Sequence, residues 1–426
     1  MIPGNDGKFS QIPEEKLGPS EAFFHRVHEM FSGGSAILCV SARIAGPLDI
    51  QLIKQSCRHL WERHPLLRAR IATRQDGPYF ILDVPFNRIP VHSVFELGKT
   101  DIRTFVEREI SSAFEKDRPL WKVLLVTDKV QLDKHYLIVC THRSISDPFC
   151  TVSLVREILA GCVNMLSGTA AESGLLPLCP NFEHITASIP GPLFPGGAPG
   201  RKDGGEEAGR VPCPPVPVHK RYTRIRSHTV GPARLKELKA LCSSEKATMR
   251  GAIAAATVAA LQKQFQDSFS VEIETPLTVR KLGGFTIGED EMRSLAYDAR
   301  IRSRGIADRA VFWKFARDYE TALLTAALPV DWPGDDPETV GSPGLPLSCS
   351  LVYMDEIGRI PKSPFVIENF LLVQGLRSAD KLMFISAMPV KDSMPITFAY
   401  VSPMLEEAWV DRFIKNFVQI IEKAVK

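Results

Sequence analysis

The stretch THRSISDP, residues 141–148, joins two different patterns of apolar side chains. Before it, residues 135–141 have the apolar and β-branched character of a buried strand. After it, apolar residues recur at helical spacing over residues 152–166. The stretch is therefore predicted to form a turn that carries His142 and Arg143 between the end of a strand and the start of a helix.

Strand and helix signals alternate in both halves of the chain. In the first half, residues 36–44 and 66–71 are predicted strands, and Asp49 is placed to cap a helix. In the second half, residues 222–230 are a predicted strand, and the alanine-rich residues 248–265 are predicted to form a deeply packed helix. This mixture favours two layered α/β lobes over a helical bundle or a barrel.

A change of composition separates the two halves. From residue 176 to residue 220, prolines, glycine pairs and charged residues replace the periodic apolar pattern, and proline continues neither a helix nor a central strand. A chain of 426 residues also exceeds what one core usually serves. We therefore expect a first lobe at residues 1–180, a linker at residues 181–219 and a second lobe at residues 220–426. Residues 191–211 are expected to be mobile and sensitive to proteolysis.

The composition excludes several classes of protein. The net charge of +3 comes from 52 basic and 49 acidic residues that are mixed along the chain, which leaves no electrostatic footprint for nucleic acid. The nine cysteines include no C-x-x-C pair, so neither a metal site nor a disulfide framework is predicted. The longest near-apolar run, residues 251–261, is too short to span a membrane, and the first residues carry no targeting signal. The pattern indicates a cytoplasmic protein with small-molecule or protein partners.

Other catalytic signatures are absent from the sequence. It contains no G-x-S-x-G elbow, no glycine-rich phosphate loop and no H-E-x-x-H motif, which excludes the corresponding hydrolase, nucleotide-binding and zinc-peptidase classes. The basic run at residues 220–226 alternates along a predicted strand and is interpreted as a solvated face, with binding of CoA phosphates as the alternative. The turn at residues 141–148 is therefore the leading candidate site.

Residues 142–148 resemble HHxxxDG, the signature of condensation domains, alcohol acyltransferases and related enzymes of the chloramphenicol-acetyltransferase-like superfamily. Four further segments resemble blocks of that superfamily and occur in its order: residues 60–70 (HPxLR), 118–121 (RPLW), 278–280 (the arginine strand of the second lobe) and 347–359 (NLGR). The resemblance implies an α/β fold of two chloramphenicol-acetyltransferase-like lobes in a V-shaped arrangement. A central tunnel would run between the lobes, with the motif at its centre.

Arg143 occupies the place of the second histidine, which acts as general base in active members of the superfamily. Arginine keeps its proton at physiological pH and offers only donors, so it cannot take a proton from an alcohol. Losing a positioned base forfeits about 10²- to 10⁴-fold in rate. The resemblance implies a place for Arg143 in the tunnel, where it would hold or polarise a substrate carbonyl. The alternative is a surface or lobe-bridging salt bridge. Pro148 also departs from the signature, because it replaces the glycine.

The resemblance implies roles for five other residues. His142 matches the first histidine, which supports the loop; its alternative role is that of a substitute base. Asp147 and Arg280 are expected to form a structural ion pair between the lobes. Tyr353 and Asp355 are expected to line the tunnel, with hydroxyl or carboxylate chemistry as the alternative. No metal or cofactor is implied, apart from a CoA thioester as co-substrate if the protein transfers acyl groups.

Three functions are compatible with these features. The first is a natural-product biosynthetic enzyme that catalyses cyclisation or Diels–Alder-type cycloaddition of a hydrophobic polyketide- or terpene-like substrate, with Arg143 as hydrogen-bond donor. The second is an O- or N-acyltransferase that uses acyl-CoA or a thioester bound to a carrier protein. The third is a non-catalytic binding or carrier-docking protein. The mass of the product separates them, since acyl transfer adds the acyl mass, cyclisation leaves the mass unchanged and a binding protein converts nothing.

Overall fold

The computed structural model describes residues 13–95, 101–169, 174–189, 209–265, 270–326, 344–355 and 363–425. In this part of the chain the helices are α1 (Pro19–Met30), α2 (Ile50–Arg63), α3 (Ile102–Ser111), α4 (Pro148–Ser167), α5 (Phe182–Ala187), α6 (Pro232–Ser244), α7 (Met249–Phe265), α8 (Arg309–Thr325) and α9 (Glu407–Val425). The strands of the first half are β1 (Glu14–Lys16), β2 (Ile37–Ala45), β3 (Arg70–Arg74), β4 (Gly77–Ile81), β5 (Val91–Phe95), β6 (Trp121–Thr127) and β7 (Lys134–His142). Those that follow are β8 (Arg210–Val211), β9 (Tyr222–Val230), β10 (Val271–Thr278), β11 (Ala296–Ser303), β12 (Leu345–Pro346), β13 (Ser348–Tyr353), β14 (Val366–Gln374), β15 (Met383–Ala387) and β16 (Met394–Ser402). The alternation predicts a mixed α/β protein, and the structure confirms it.

The first of two large sheets has the strand order β14-β2-β7-β6-β5. β7 lies at its centre and pairs antiparallel with β2 and β6, while β5 runs parallel to β6. α4 packs on β2 and β7, and α2 packs on α4, where Ser56 Oγ donates to the carbonyl oxygen of Ile158 at 2.8 Å. As predicted, Asp49 caps α2, because its carboxylate accepts from the backbone N–H groups of Gln51 and Leu52. The candidate turn thus follows a central, fully covered strand.

The second sheet has the strand order β11-β10-β13-β15-β16-β9. β13 runs parallel to both of its neighbours, and the outer pairs are antiparallel. α7 contacts α6, α8, α9 and β10, and its alanine-rich surface is buried nearly all round. The deeply packed helix predicted at residues 248–265 is therefore confirmed.

One strand crosses between the two halves of the chain. β14 belongs to the second half by sequence, yet it pairs antiparallel with β2 along the edge of the first sheet. It also contacts β15 and β16, and Ser386 Oγ donates to the carbonyl oxygen of Leu372 at 2.7 Å. The proposed second lobe at residues 220–426 therefore contributes a strand to the first sheet. The division into lobes at residues 1–180 and 220–426 stays a proposal.

The prediction of one continuous strand at residues 66–71 is wrong. Pro65 opens a 3₁₀ turn, Pro65–Arg68, and the strand begins only at Arg70. Proline fixes φ near the helical value at this position, and the turn places the side chains of Leu66 and Leu67 in the core. The indole N–H of Trp121 donates to the carbonyl oxygen of Leu67 at 2.9 Å, which ties the turn to β6.

The proline-rich region is more ordered at its ends than its composition predicts. α5 lies inside it between two prolines, where Asn181 caps the helix by accepting from the backbone N–H of His184. Arg210 and Val211 form β8, which pairs with β12. Residues 190–208 lie outside the described residues, and so does most of the segment that was expected to be mobile. Composition alone therefore did not predict the cap of α5 or the pairing of β8. A few residues between two prolines are enough to form a short helix or a short strand.

Within the described residues, α4 alone is long and apolar enough to cross a membrane. More than half of its apolar window is buried inside the protein. Core helices commonly pass the same test of length and composition. The contacts of α4 with α2, β2 and β7 account for its apolar character, so the helix gives only weak evidence for a membrane span.

Candidate active site

Backbone and hydroxyl hydrogen bonds hold the turn after β7 in one conformation. The backbone N–H of Arg143 donates to the carbonyl oxygen of Ala36 at 2.8 Å, which extends the pairing of β2 and β7 one residue beyond His142, the last residue of β7. Ser146 Oγ donates to Thr141 Oγ1 at 2.6 Å, and Thr141 Oγ1 lies 3.0 Å from Thr151 Oγ1 on α4. Because these groups are buried and paired, the side chains of the turn have fixed positions.

Asp147 lies immediately before α4 and is fully buried. Its Oδ1 atom accepts from the backbone N–H groups of Phe149 and Cys150 at 2.9 and 3.0 Å, which caps the helix. Pro148 is the first residue of the helix, where proline is favoured because that N–H would have no helical partner. The departure from glycine at this position therefore suits the start of α4.

Asp147 also pairs with Arg280, as the resemblance implies. Arg280 Nη2 lies 3.2 Å from Asp147 Oδ2, and that oxygen also accepts from the backbone N–H of Leu295 at 3.0 Å. Arg280 follows β10, donates to three backbone carbonyl oxygens and is buried. Burial acts to lower the pKa of Arg280, but the charge of Asp147 outweighs it and holds that pKa above its ordinary value. The pair joins the motif to the second sheet, and its structural role stays a proposal.

Arg143 is 4% exposed and lies between elements of both halves. Its guanidinium carbon lies 4.2 Å from the ring centroid of Phe24 on α1, and its Nη1 donates to Gln374 Oε1 at the end of β14 at 3.0 Å. Within the described residues it makes no ion pair, and its buried Nε–H has no hydrogen-bond acceptor. The charge of Arg143 nevertheless acts on the buried carboxylate of Glu274, whose pKa it helps to lower after Lys381 and Arg300. The direct contacts that stabilise the buried cation in the described structure are the aromatic face of Phe24 and the amide oxygen of Gln374.

His142 has its tautomer fixed by the next turn residue. The backbone N–H of Ser144 donates to His142 Nδ1 at 3.0 Å, and Ser144 Oγ lies 2.7 Å from the same atom. Burial, assisted by His28 and His25, lowers the pKa of His142 well below its ordinary value, so the ring is neutral. A neutral ring that accepts at Nδ1 carries its proton at Nε2. Among the described groups, none accepts from that buried Nε2–H.

The ring of His142 lines a cavity of about 290 Å³. The described residues that line it all belong to the first half and include His25 and His28 of α1, Gly33, Phe114 and Leu120. The centroids of the His28 and His142 rings lie 4.7 Å apart with an angle of 60° between the rings. Arg143 is not among the described residues that line this cavity, and its guanidinium contacts Phe24 and Gln374.

Gly33 forms part of the cavity wall in a conformation that favours glycine, with φ +75°. A Cβ atom there would lie 2.5 Å from Ala113 Cα, so Gly33→Ala adds a steric clash to the conformational cost. Gly284 is a matched control, because its φ is +81° and no described atom lies within 4 Å of its Cβ position. We expect Gly33→Ala to lower the free energy of unfolding by about 1–3 kcal/mol more than Gly284→Ala does. Urea unfolding of both variants measures the difference, and equal losses would contradict the clash.

Tyr353 and Asp355 contact each other at the end of β13. Burial, followed by a hydrogen bond to Asp355 and the charge of that carboxylate, raises the pKa of the Tyr353 hydroxyl above its ordinary value, while Arg250 of α7 acts in the opposite direction. In the described structure neither residue makes a hydrogen bond or ion pair with His142 or Arg143. A position on a tunnel wall stays a prediction for both. Residues 356–359 of the NLGR-like block lie outside the described residues.

Sequence reasoning missed Phe24, His28, Phe114 and Gln374. Phe24 and His28 are one helical turn apart on α1, and they contact Arg143 and His142 respectively. A histidine among the apolar positions of an amphipathic helix was the available signal for His28. Nothing in the sequence pattern indicates that Gln374 meets Arg143. Within the described residues, no group of three or more His, Cys, Asp or Glu side chains could hold a metal ion.

No family model matches the sequence. Solved structures match it over nearly its whole length at low identity. The first condensation domain of the CDA synthetase has a TM-score of 0.71 and 15% identity, with 97% of each chain covered. The condensation domain of the monacolin K polyketide synthase has a TM-score of 0.66 and 12% identity, again with 97% of each chain covered.

The likeness extends to a domain of another kind. The epimerization domain from the third module of tyrocidine synthetase B has a TM-score of 0.65 and 14% identity, with 97% of this chain and 98% of that chain covered. Identities this low establish the fold and leave the reaction open. The chain therefore has the chloramphenicol-acetyltransferase-like α/β fold of condensation and epimerization domains, as the motif at residues 141–148 predicts.

Proposed function

We propose that this protein is a natural-product biosynthetic enzyme that catalyses cyclisation or Diels–Alder-type cycloaddition of a hydrophobic polyketide- or terpene-like substrate. Arg143 and His142 would act as hydrogen-bond donors to it. One observation carries the proposal. The turn that in the superfamily supplies a base here presents two buried N–H groups, Arg143 Nε–H and His142 Nε2–H, and no described protein group accepts from either.

Two donors without a base suit reactions that need no proton transfer. A donor that is fixed in a water-poor site stabilises negative charge developing on a carbonyl oxygen and does not have to reorganise during the reaction. Holding the reacting ends of a folded chain together contributes further, because the loss of freedom precedes the chemical step. Arg143 is well suited to such a role, since Phe24 and Gln374 already hold its guanidinium.

The same tautomer argues against His142 as a substitute base. A general base needs a free lone pair within reach of the proton that it takes. The lone pair of His142 lies on Nδ1, where it accepts from the N–H of Ser144. Acyl transfer by a carrier-bound or CoA thioester would therefore need a base from outside the turn. It stays the first alternative, and a non-catalytic binding or carrier-docking protein stays the second.

The fold supports the class of metabolism that we propose. The solved structures that share it include condensation domains of a peptide synthetase and a polyketide synthase. On this basis a small hydrophobic substrate is the first partner to test, presented either free or on a carrier protein. No bound cofactor is required, because neither donor needs one, and CoA would enter only as the thioester co-substrate of an acyltransferase.

Mass spectrometry of products tests the proposal directly. The protein is incubated with linear polyene and hydroxy-polyene ketones and thioesters, each with and without acetyl-CoA. We expect a product of unchanged mass and altered retention that forms without acetyl-CoA. A product heavier by the acyl mass would establish the acyltransferase alternative. Ligand binding without conversion across the panel would favour the binding protein, and both results would overturn the proposal.

A further inference from the structure

His28 presents a hydrogen-bond acceptor in the same cavity as His142. Its Nε2 atom lies 3.1 Å from the carbonyl oxygen of Phe114. A carbonyl oxygen only accepts, so His28 carries a proton at Nε2. Burial lowers the pKa of His28, which keeps the ring neutral and leaves the lone pair on Nδ1. That Nδ1 atom is buried, and within the described residues no group donates to it.

The two rings are complementary and close together. His142 offers an N–H without an acceptor, and His28 offers a lone pair without a donor. Their centroids lie 4.7 Å apart, close enough for one ligand oxygen to reach both, because each hydrogen bond spans about 3 Å. Their present orientation gives no direct bond between them. Buried polar groups are seldom left without partners, so two complementary ones in one cavity wall point to a ligand.

We propose that the cavity between α1 and the turn binds a hydroxyl group, which donates to His28 Nδ1 and accepts from His142 Nε2–H. An alcohol, a phenol or an enol can do both, whereas an ether or a ketone can only accept. Phe114 and Leu120 supply an apolar part of the cavity wall that can contact the carbon skeleton next to that hydroxyl, while residues 115–118 supply a charged part. The hydroxyl site would belong to a hydroxylated polyketide- or terpene-like chain, and this substrate class rests on the proposed function. The test of the hydroxyl site uses binding alone.

Phenol and its methyl ether, anisole, are a suitable pair of probes. They have similar size, but anisole cannot donate to His28. Titrations are followed by the side-chain nitrogen resonances of protein labelled with ¹⁵N-histidine. We expect phenol to shift the signals of His28 Nδ1 and His142 Nε2. We expect anisole to bind about tenfold more weakly and to leave the His28 signal unchanged, because a site built for a hydroxyl rejects the analogue that lacks it.

Variants of His28 test whether this residue causes the preference for phenol over anisole. His28→Phe keeps a ring in the wall but removes the acceptor, so phenol should fall to the affinity of anisole, and anisole should bind as before. His28→Asn places an amide oxygen near the position of Nδ1 and should restore part of the preference. His25→Phe is the matched control, because His25 lines the same cavity on the same helix but pairs with Glu29 at 3.6 Å. It should keep the full preference for phenol.

Several outcomes would overturn the inference. They are equal affinities of the two probes in the unchanged protein, a preference for phenol that survives in folded His28→Phe, and binding of neither probe. Melting curves of each variant establish that it is folded. Failure of the proposed function would look different, since a protein that converts no substrate can still distinguish phenol from anisole. Conversely, cyclisation by His28→Phe at the normal rate would leave the proposed function standing without the hydroxyl site.

Discussion

Asp147→Ala is expected to lower the free energy of unfolding by about 3–5 kcal/mol. The substitution leaves the guanidinium of Arg280 buried without its charged partner. It also removes the cap of α4 and the acceptor of the Leu295 N–H. The loss is measured by urea unfolding. Because Arg280 follows β10 while Asp147 follows β7, the variant should weaken the contact between the two sheets as well as the start of the helix.

Asp49→Ala is the matched control for the cap. Asp49 lies immediately before α2 and accepts from two backbone N–H groups in the same way as Asp147, but its side chain is exposed and the described structure gives it no ion pair. Its loss should cost about 1 kcal/mol. If Asp147→Ala cost no more than Asp49→Ala, the ion pair with Arg280 would contribute nothing. Asp147→Asn, which keeps an oxygen for the cap and loses the charge, should fall between the two.

Arg143→Ala is expected to reduce turnover about 10²-fold or more, once a substrate has been identified by product mass. The substitution removes the charged donor together with its contacts to Gln374 Oε1 and the face of Phe24. Arg143→Lys should retain part of the activity, because it keeps a cation but cannot reproduce the planar contact with Phe24. Steady-state kinetics of folded protein, with urea unfolding of the same samples, separates the catalytic loss from a loss of stability.

Arg143→His separates the two candidate functions, because they predict opposite changes in activity. If the protein transfers acyl groups, a histidine at this position restores the base of the signature, and acyl transfer should rise. If Arg143 is a donor, the same variant should lose activity. Gln374→Ala serves as a control for positioning, since it removes the anchor and keeps the guanidinium. Full activity in Arg143→Ala would contradict both functions of the residue and place the chemistry elsewhere.

The sequence was most informative where local chemistry decides the structure. Asp49 was identifiable as the cap of a helix, because an acceptor before an apolar periodic segment satisfies free N–H groups whatever the tertiary context, and the start of a helix after Asp147 and Pro148 was predicted from the apolar pattern that follows them. The partner of Asp147 was accessible through the resemblance of residues 278–280 to the second-lobe strand. A 3₁₀ turn at Pro65–Arg68 was missed because leucine and arginine after a proline fit a strand equally well.

The contacts of Arg143 and His142 could not be predicted in the same way. Gln374 reaches Arg143 because β14 leaves the second half and pairs with β2, and the pairing of distant strands has no local signal. His28 has the appearance of an ordinary buried histidine until its neighbours are known. Its importance depends on which nitrogen faces the carbonyl of Phe114, and three-dimensional proximity alone decides that.

β14 also affects how the protein can be made. A ribosome delivers β2, β7, β6 and β5 early, but the strand that covers the edge of β2 is synthesised only after most of the second sheet. Until then the nascent first half carries an open, largely apolar strand edge, the kind of surface on which chains associate with one another. A fragment that stops at residue 180 lacks β14, the strand that completes its own sheet. We therefore expect the first half to fold poorly when it is expressed without the second half.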